Sequence, residues 1–120
     1  MNGLHIISNF YNCKFDFKEE KQLVGLATKF CTDSGLTVVG VKSHEFEGQG
    51  ITFTILLAES HLSLHSWPEH GNVAFDIYTC NFFNSNNDKT HFVYQKMKET
   101  LQPEREETKF IDRESLKPVQ

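Results

Sequence analysis

From Leu4 to Tyr11 apolar and polar residues alternate, and a period of two predicts a β-strand with one buried face. A turn is expected over Asn12 to Phe15. Asp16 then stands as a helix N-cap, with Glu19 three residues on in capping-box position. Leu23, Val24, Ala27, Phe30 and Cys31 fall at i, i+1, i+4, i+7 and i+8, the apolar stripe of a helix that should run to about Ser34. Gly35 supplies its left-handed stop. Leu36 to His44 and Ile51 to Ala58 predict two strands that meet at Gly48-Gln49-Gly50 as a hairpin or near neighbours. Glu59 to Gly71 breaks the pattern and reads as a polar loop. Asn72 to Cys80 alternates again, with Val73, Phe75, Ile77 and Thr79 on one face and Asn72, Ala74, Asp76, Tyr78 and Cys80 on the other. A second helix is expected from Asp88 to Leu101, ended by Pro103. A last strand follows over Glu106 to Asp112, and the polar tail after Arg113 should be loose.

The predicted order is β-α-β-β-β-α-β over a single domain, residues 1–120. That order predicts an α+β fold, a two-layer α/β sandwich whose mainly antiparallel sheet carries two helices on one face. Composition narrows the possible functions. With 38% hydrophobic and 23% charged residues the chain can build one modest core and is too apolar to be disordered. Its net charge of −4, from 12 basic and 16 acidic residues, leaves no electrostatic footprint for nucleic acid. No apolar run approaches the roughly 20 residues of a membrane span, and the first ten residues lack the basic region of a signal peptide. Cys13, Cys31 and Cys80 are odd in number and match no metal spacing, which argues for reduced thiols in a cytoplasmic protein.

The stretch Leu57 to Gly71 holds His61, His65, His70, Glu59, Glu69, Ser60, Ser63, Ser66 and Trp67. Three chemistries compete for that inventory. His61, His65 and His70 could bind a metal, with Glu69 or Cys80 as a fourth ligand, although the spacing matches no standard zinc motif. A Ser/His/acid hydrolase is weaker, because the sequence has no Gly-x-Ser-x-Gly elbow. The third reading is self-processing. Glu59-Ser60-His61-Leu62-Ser63-Leu64-His65-Ser66-Trp67-Pro68-Glu69 resembles the processing segment of prokaryotic S-adenosylmethionine decarboxylases, whose pattern is ESHLxxHxWPE. The resemblance extends into Asn72 to Cys80, which follows the family's xxAxDxxTC strand. It is weaker but in register from Gly3 to Cys13.

That resemblance implies a proenzyme that cuts itself at Glu59–Ser60 into a β chain, residues 1–59, and an α chain, residues 60–120. The Ser60 hydroxyl would attack the Glu59 carbonyl to give an ester. Loss of the Ser60 α-proton then expels the Glu59 carboxylate, and the dehydroalanine left behind hydrolyses to a pyruvoyl group with release of ammonia. His65 matches the processing histidine, and Thr52 stands where the family usually has an assisting serine. The pyruvoyl ketone would form a Schiff base with the substrate amine and draw electrons from the departing carboxylate. Cys80 matches the catalytic acid; an ordinary thiol, with a pKa of about 8.5, is mostly protonated at neutral pH and can donate.

Phe46 matches the aromatic that stacks on adenine, and Glu69 the carboxylate that binds the ribose hydroxyls. Trp67 would pack on the base or the sulfonium. The implied product is the aminopropyl donor for spermidine synthesis. The implied assembly is a homodimer of αβ pairs with active sites at the interface. The chain departs from the family at Asn9, usually an acid, at His70, often Tyr, and at Asn81, commonly glycine. Two alternatives remain: a pyruvoyl decarboxylase of ornithine or arginine, and a non-processing, metal-binding or structural homologue.

Overall fold

The structure, a computed structural model, describes residues 2–119. Seven strands form one antiparallel sheet: β1 (Gly3–Tyr11), β2 (Val38–Glu45), β3 (Ile51–Leu57), β4 (Ser60–Trp67), β5 (Asn72–Cys80), β6 (Arg105–Asp112) and β7 (Lys117–Pro118). Their order across the sheet is β2-β3-β4-β5-β1-β6-β7. Two helices, α1 (Gln22–Ser34) and α2 (Asn87–Leu101), lie together on one face. The α+β sandwich expected from the pattern is the fold observed. Among the described residues no helix is long and apolar enough to cross a membrane.

The alternation explains the layering. Leu4, Ile6 and Phe10 of β1, Ile51, Phe53 and Ile55 of β3, and Val73, Phe75 and Ile77 of β5 are buried beneath the helices. Leu23, Ala27 and Cys31 of α1 and Val93, Tyr94, Met97 and Leu101 of α2 close the core from above. Gly35 ends α1 at φ 96°, as expected. Each polar side chain buried in this layer has a partner. Ser66 donates to Glu20 at 2.7 Å and accepts the Ile51 N–H at 2.9 Å. Thr79 and Thr90 share a 2.5 Å hydrogen bond, and Ser8 and Thr108 one of 2.6 Å.

Three expectations are corrected. Glu59 to Gly71 is not one polar loop, since β4 runs through it. Leu62, Leu64 and Ser66 point into the core and His61, Ser63, His65 and Trp67 point out, so the period of two was present but its outward positions carry histidines and a serine occupies an inward one. Asp16 caps only a short 3-10 turn, Phe17–Glu19, by accepting the Lys18 N–H, and Glu19 bonds Gln22 rather than closing a capping box. The helix proper starts at Gln22. The tail after Arg113 is not loose, because Lys117–Pro118 pairs with Ile111 and Asp112.

Candidate active site

Among the described residues, no helix covers the second face of the sheet. It presents His5, Ile7 and Asn9 of β1, Thr52 and Leu56 of β3, His61, His65 and Trp67 of β4, and Ala74, Asp76 and Tyr78 of β5. The expected site residues fall into two groups on this layer, one at each end of β4.

At the first end, Ala58 and Glu59 alone join β3 to β4, since Leu57 and Ser60 already pair. Two-residue hairpin turns that suit strand twist need positive φ within the turn. Neither Ala58 nor Glu59 has it; the positive φ falls on Ser60, at 154°. Such a torsion suits glycine and costs a residue with a side chain about 1–3 kcal/mol. The strained torsion therefore adjoins the Glu59–Ser60 peptide bond.

The Glu59 carbonyl oxygen accepts the Cys80 N–H at 2.9 Å. A backbone donor aimed at this carbonyl is what a tetrahedral oxyanion there would require. The Glu59 carboxylate is itself held by the Thr37 N–H at 3.0 Å. The Ser60 Oγ lies 3.1 Å from His61 Nδ1. Cys80 sits opposite Gly3, where a Cβ would fall 2.4 Å from the Thr79 carbonyl oxygen, so glycine is what lets β1 lie this close to the Cys80 end of β5. Glu59 and Cys80 also line a cavity of about 540 Å³ with the exposed Phe82 and Phe83. The other two cysteines belong to the core side. Burial pushes the Cys13 thiol up to about 11; burial, then the Glu59 charge, pushes Cys31 up to about 12.

At the second end, His65 pairs across the sheet with Thr52 and Ala74. Its ring lies 4.1 Å from that of Trp67 and 5.1 Å from that of Phe46, centroid to centroid. The Thr52 hydroxyl donates to the Leu64 carbonyl at 3.1 Å. Beyond Trp67 the chain turns, leaving Glu69 and His70 exposed. Asn9, Tyr11, Trp67, His70 and Asn72 line a cleft of about 340 Å³. The departures Asn9 and His70 thus both border this cleft, whereas Asn81 lies at the first end, bonded to Asn86 and Asn87.

Ser60, Glu59 and Cys80 are therefore brought together, and so are Thr52, His65, Phe46 and Trp67, with Glu69 in the adjoining turn. The two groups do not meet within one chain. At about 3.3 Å per residue, the five steps from Ser60 to His65 span roughly 17 Å. The alternative metal set, His61, His65 and His70, does not converge either, because an extended strand and a turn spread it along the sheet.

The structure shows one further cluster. His5 Nε2 lies 2.8 Å from Asp76 Oδ2, His61 Nε2 lies 3.7 Å from the same oxygen, and Arg113 reaches His5 Nδ1 at 3.0 Å. His5 and Asp76 were not singled out from the sequence. Their outward positions were readable from the strand period, but their meeting depends on the β1–β5 register.

Comparison with known proteins identifies the family and the fold. A sequence model of the family described as S-adenosylmethionine decarboxylase matches residues 4–114. An S-adenosylmethionine decarboxylase proenzyme of Persephonella marina is 36% identical over 115 residues, covering 92% of this chain and 81% of the relative. One from Methanococcus maripaludis is 36% identical over 116 residues, covering 92% and 88%. The crystal structure of the adenosylmethionine decarboxylase from Aquifex aeolicus superposes with a TM-score of 0.80 at 28% identity, covering 92% of this chain and 89% of that one. With its sequence matched almost end to end and its fold shared, the chain belongs to the S-adenosylmethionine decarboxylase family of carboxy-lyase enzymes.

Proposed function

We propose that the chain is a proenzyme that cuts itself between Glu59 and Ser60 and then decarboxylates S-adenosylmethionine to the aminopropyl donor for spermidine synthesis. The products of the cut are a β chain, residues 1–59, and an α chain, residues 60–120, with Ser60 converted to a pyruvoyl group. One observation carries the reading: a nucleophilic side chain, a positive φ at the same residue and a backbone N–H on the adjoining carbonyl all coincide at Glu59–Ser60. A planar peptide resists attack, and these are the features that lower its resistance.

These residues fit the pyruvoyl group, since Ser60 is its source and Cys80 lies beside it. The group supplies an electron sink for decarboxylation. Cys80 holds the proton that returns to the substrate α-carbon. At the other end of β4, Phe46 stacks on the adenine, Trp67 flanks the base or sulfonium, and Glu69 accepts the ribose hydroxyls. His65, assisted by Thr52, removes the Ser60 α-proton during processing.

The roughly 17 Å between the two groups supports a homodimer of αβ pairs. Open faces packed in opposite directions bring Ser60 and Cys80 of one chain to His65, Thr52, Phe46 and Glu69 of the other. Ile7, Leu56 and Trp67, at 45%, 54% and 41% exposed, supply apolar contact on that face. Three unpaired cysteines suit the cytoplasm.

Intact-mass measurement tests the cut: two fragments divided at 59/60, with a blocked α-chain N-terminus, are expected, and a single unmodified chain would contradict it. Release of labelled CO2 from S-adenosylmethionine, and not from ornithine or arginine, tests the substrate. Asn9 and His70, both bordering the cleft, are the positions through which a drifted amino-acid substrate would act.

A further inference from the structure

Processing must remove two protons from Ser60, from different atoms. One step removes the Ser60 α-proton, the role given above to His65. The other removes the Ser60 hydroxyl proton as Oγ attacks; His65 of the same chain is too far along the strand to take it, and His65 reaching Ser60 from the other chain is assigned the α-proton. His61 is within reach. We propose that His61, set beside Asp76 and His5, is the catalytic base that accepts the Ser60 hydroxyl proton in self-cleavage, a role that rests on the self-processing reading.

The geometry is a chain of contacts across three strands. Ser60 Oγ lies 3.1 Å from His61 Nδ1. The opposite ring nitrogen, Nε2, lies 3.7 Å from Asp76 Oδ2. His5 Nε2 lies 2.8 Å from that same oxygen. Arg113 fixes the far end. A guanidinium only donates, so His5 Nδ1, 3.0 Å away, must present its lone pair, and the His5 proton therefore sits on Nε2 and points at Asp76. Asp76 in turn attracts a proton to His61 Nε2 and leaves Nδ1 free to accept from Ser60. Arg113 also lies 4.5 Å from the Tyr78 ring centre, and Tyr78 packs 5.6 and 6.0 Å from the rings of His5 and His61. These contacts restrain both imidazoles. A nucleophile, a base and an acid that orients the base thus occur together without the elbow motif of hydrolases.

The step balances. The Ser60 Oγ–H bond breaks and its proton passes to His61 Nδ1, while Oγ bonds to the Glu59 carbonyl carbon. The carbonyl oxygen, held by the Cys80 N–H, takes the displaced electron pair. When that pair returns, the Glu59 C–N bond breaks and the Ser60 nitrogen takes the proton back from His61. The product is the ester with a free Ser60 amine, and nothing is consumed. Asp76 and His5 are positioning residues that act through His61.

The test follows cutting of newly made chain on denaturing gels, with and without hydroxylamine, which splits esters but not ordinary peptide bonds. His61→Ala should slow cutting by about 100-fold or more. It should yield no hydroxylamine-sensitive species, because it stalls before the ester. His65→Ala should stall after the ester and be split by hydroxylamine. Added imidazole should restart His61→Ala, and Asp76→Glu should recover much of the cutting that Asp76→Asn loses. His61→Gln, similar in size and still able to contact Asp76, should fold and stall at the same point. The inference is overturned if folded His61→Ala or His61→Gln cuts within about threefold of the parent rate, or accumulates the ester. A parent chain that never cuts overturns the self-processing reading instead.

Discussion

The two ends of β4 hold the two halves of the proposed site in very different ways. At Ser60 the arrangement is made by the backbone: a two-residue turn, a positive φ and a main-chain N–H on the Glu59 carbonyl, with Gly3 admitting the neighbouring strand. At His65 it is made by side chains: rings 4.1 and 5.1 Å apart and an exposed turn that carries Glu69. Bond-breaking needs a fixed target, and the paired interior of a sheet supplies one. Recognition of an adenosyl group needs shaped surface and polar tips, and a strand end leading into a turn supplies those. Substitutions at the first end should therefore act on cutting and turnover, and those of Phe46, Trp67 and Glu69 at the second on affinity, while His65 and Thr52 serve the cutting of the partner chain.

The largest expected effect is that of Ser60→Ala, which removes the proposed nucleophile and source of the pyruvoyl group. It should stay a single chain by mass and release no CO2 above background. Cys80→Ala keeps the backbone N–H on Glu59, so it should still cut. Its turnover of S-adenosylmethionine should fall by about 100-fold, as for loss of a general acid; full turnover would show that the proton comes from elsewhere. Glu69→Gln should leave cutting unchanged and raise KM by about tenfold, the order expected for losing charge from a hydrogen bond. A defect in cutting would break the division of labour between the two ends.

The smallest effect comes from a control on the covered face. Burial pushes the Glu106 carboxyl up, but hydrogen bonds from Lys98 at 2.5 Å, Tyr94 at 2.6 Å and Thr108 at 2.8 Å outweigh it and hold the carboxyl below its usual range. A carboxyl lowered on folding stabilises the protein above its unfolded pKa of about 4.3, and the contribution is lost as pH falls through the folded value. Glu106→Gln should thus cost about 1–3 kcal/mol in urea melts at pH 7, with the deficit shrinking below about pH 4 and activity per folded molecule unchanged.

The covered face was readable in the sequence because burial enforces a period. Val73, Phe75 and Ile77, or Leu23, Ala27 and Cys31, have no other face to occupy. The open face has no such constraint. The pattern reads β4 as a loop because His61 and His65 fill its outward positions and Ser66 an inward one, made tolerable by a bond to Glu20, 46 residues earlier in the chain. The pattern puts the helix start at Asp16, but that side chain satisfies a local donor without starting α1, which begins at Gln22. Ser60, Cys80 and the aromatic residues were legible only through the family motif. His5 and Asp76 stand within the matched family stretches, but their meeting was not legible there, since strand register brings them together.

Coexpression of two defective chains tests most directly whether the ends of β4 cooperate across subunits. Ser60→Ala keeps His65 but has nothing to cut, and His65→Ala keeps Ser60 but cannot complete processing. Coexpressed with distinguishable tags, the His65→Ala chain should be cut, and CO2 release from S-adenosylmethionine should return to a substantial fraction of the parent level. If both chains remain uncut while shown to be associated, Ser60 and His65 do not meet across subunits and the two-chain site is wrong.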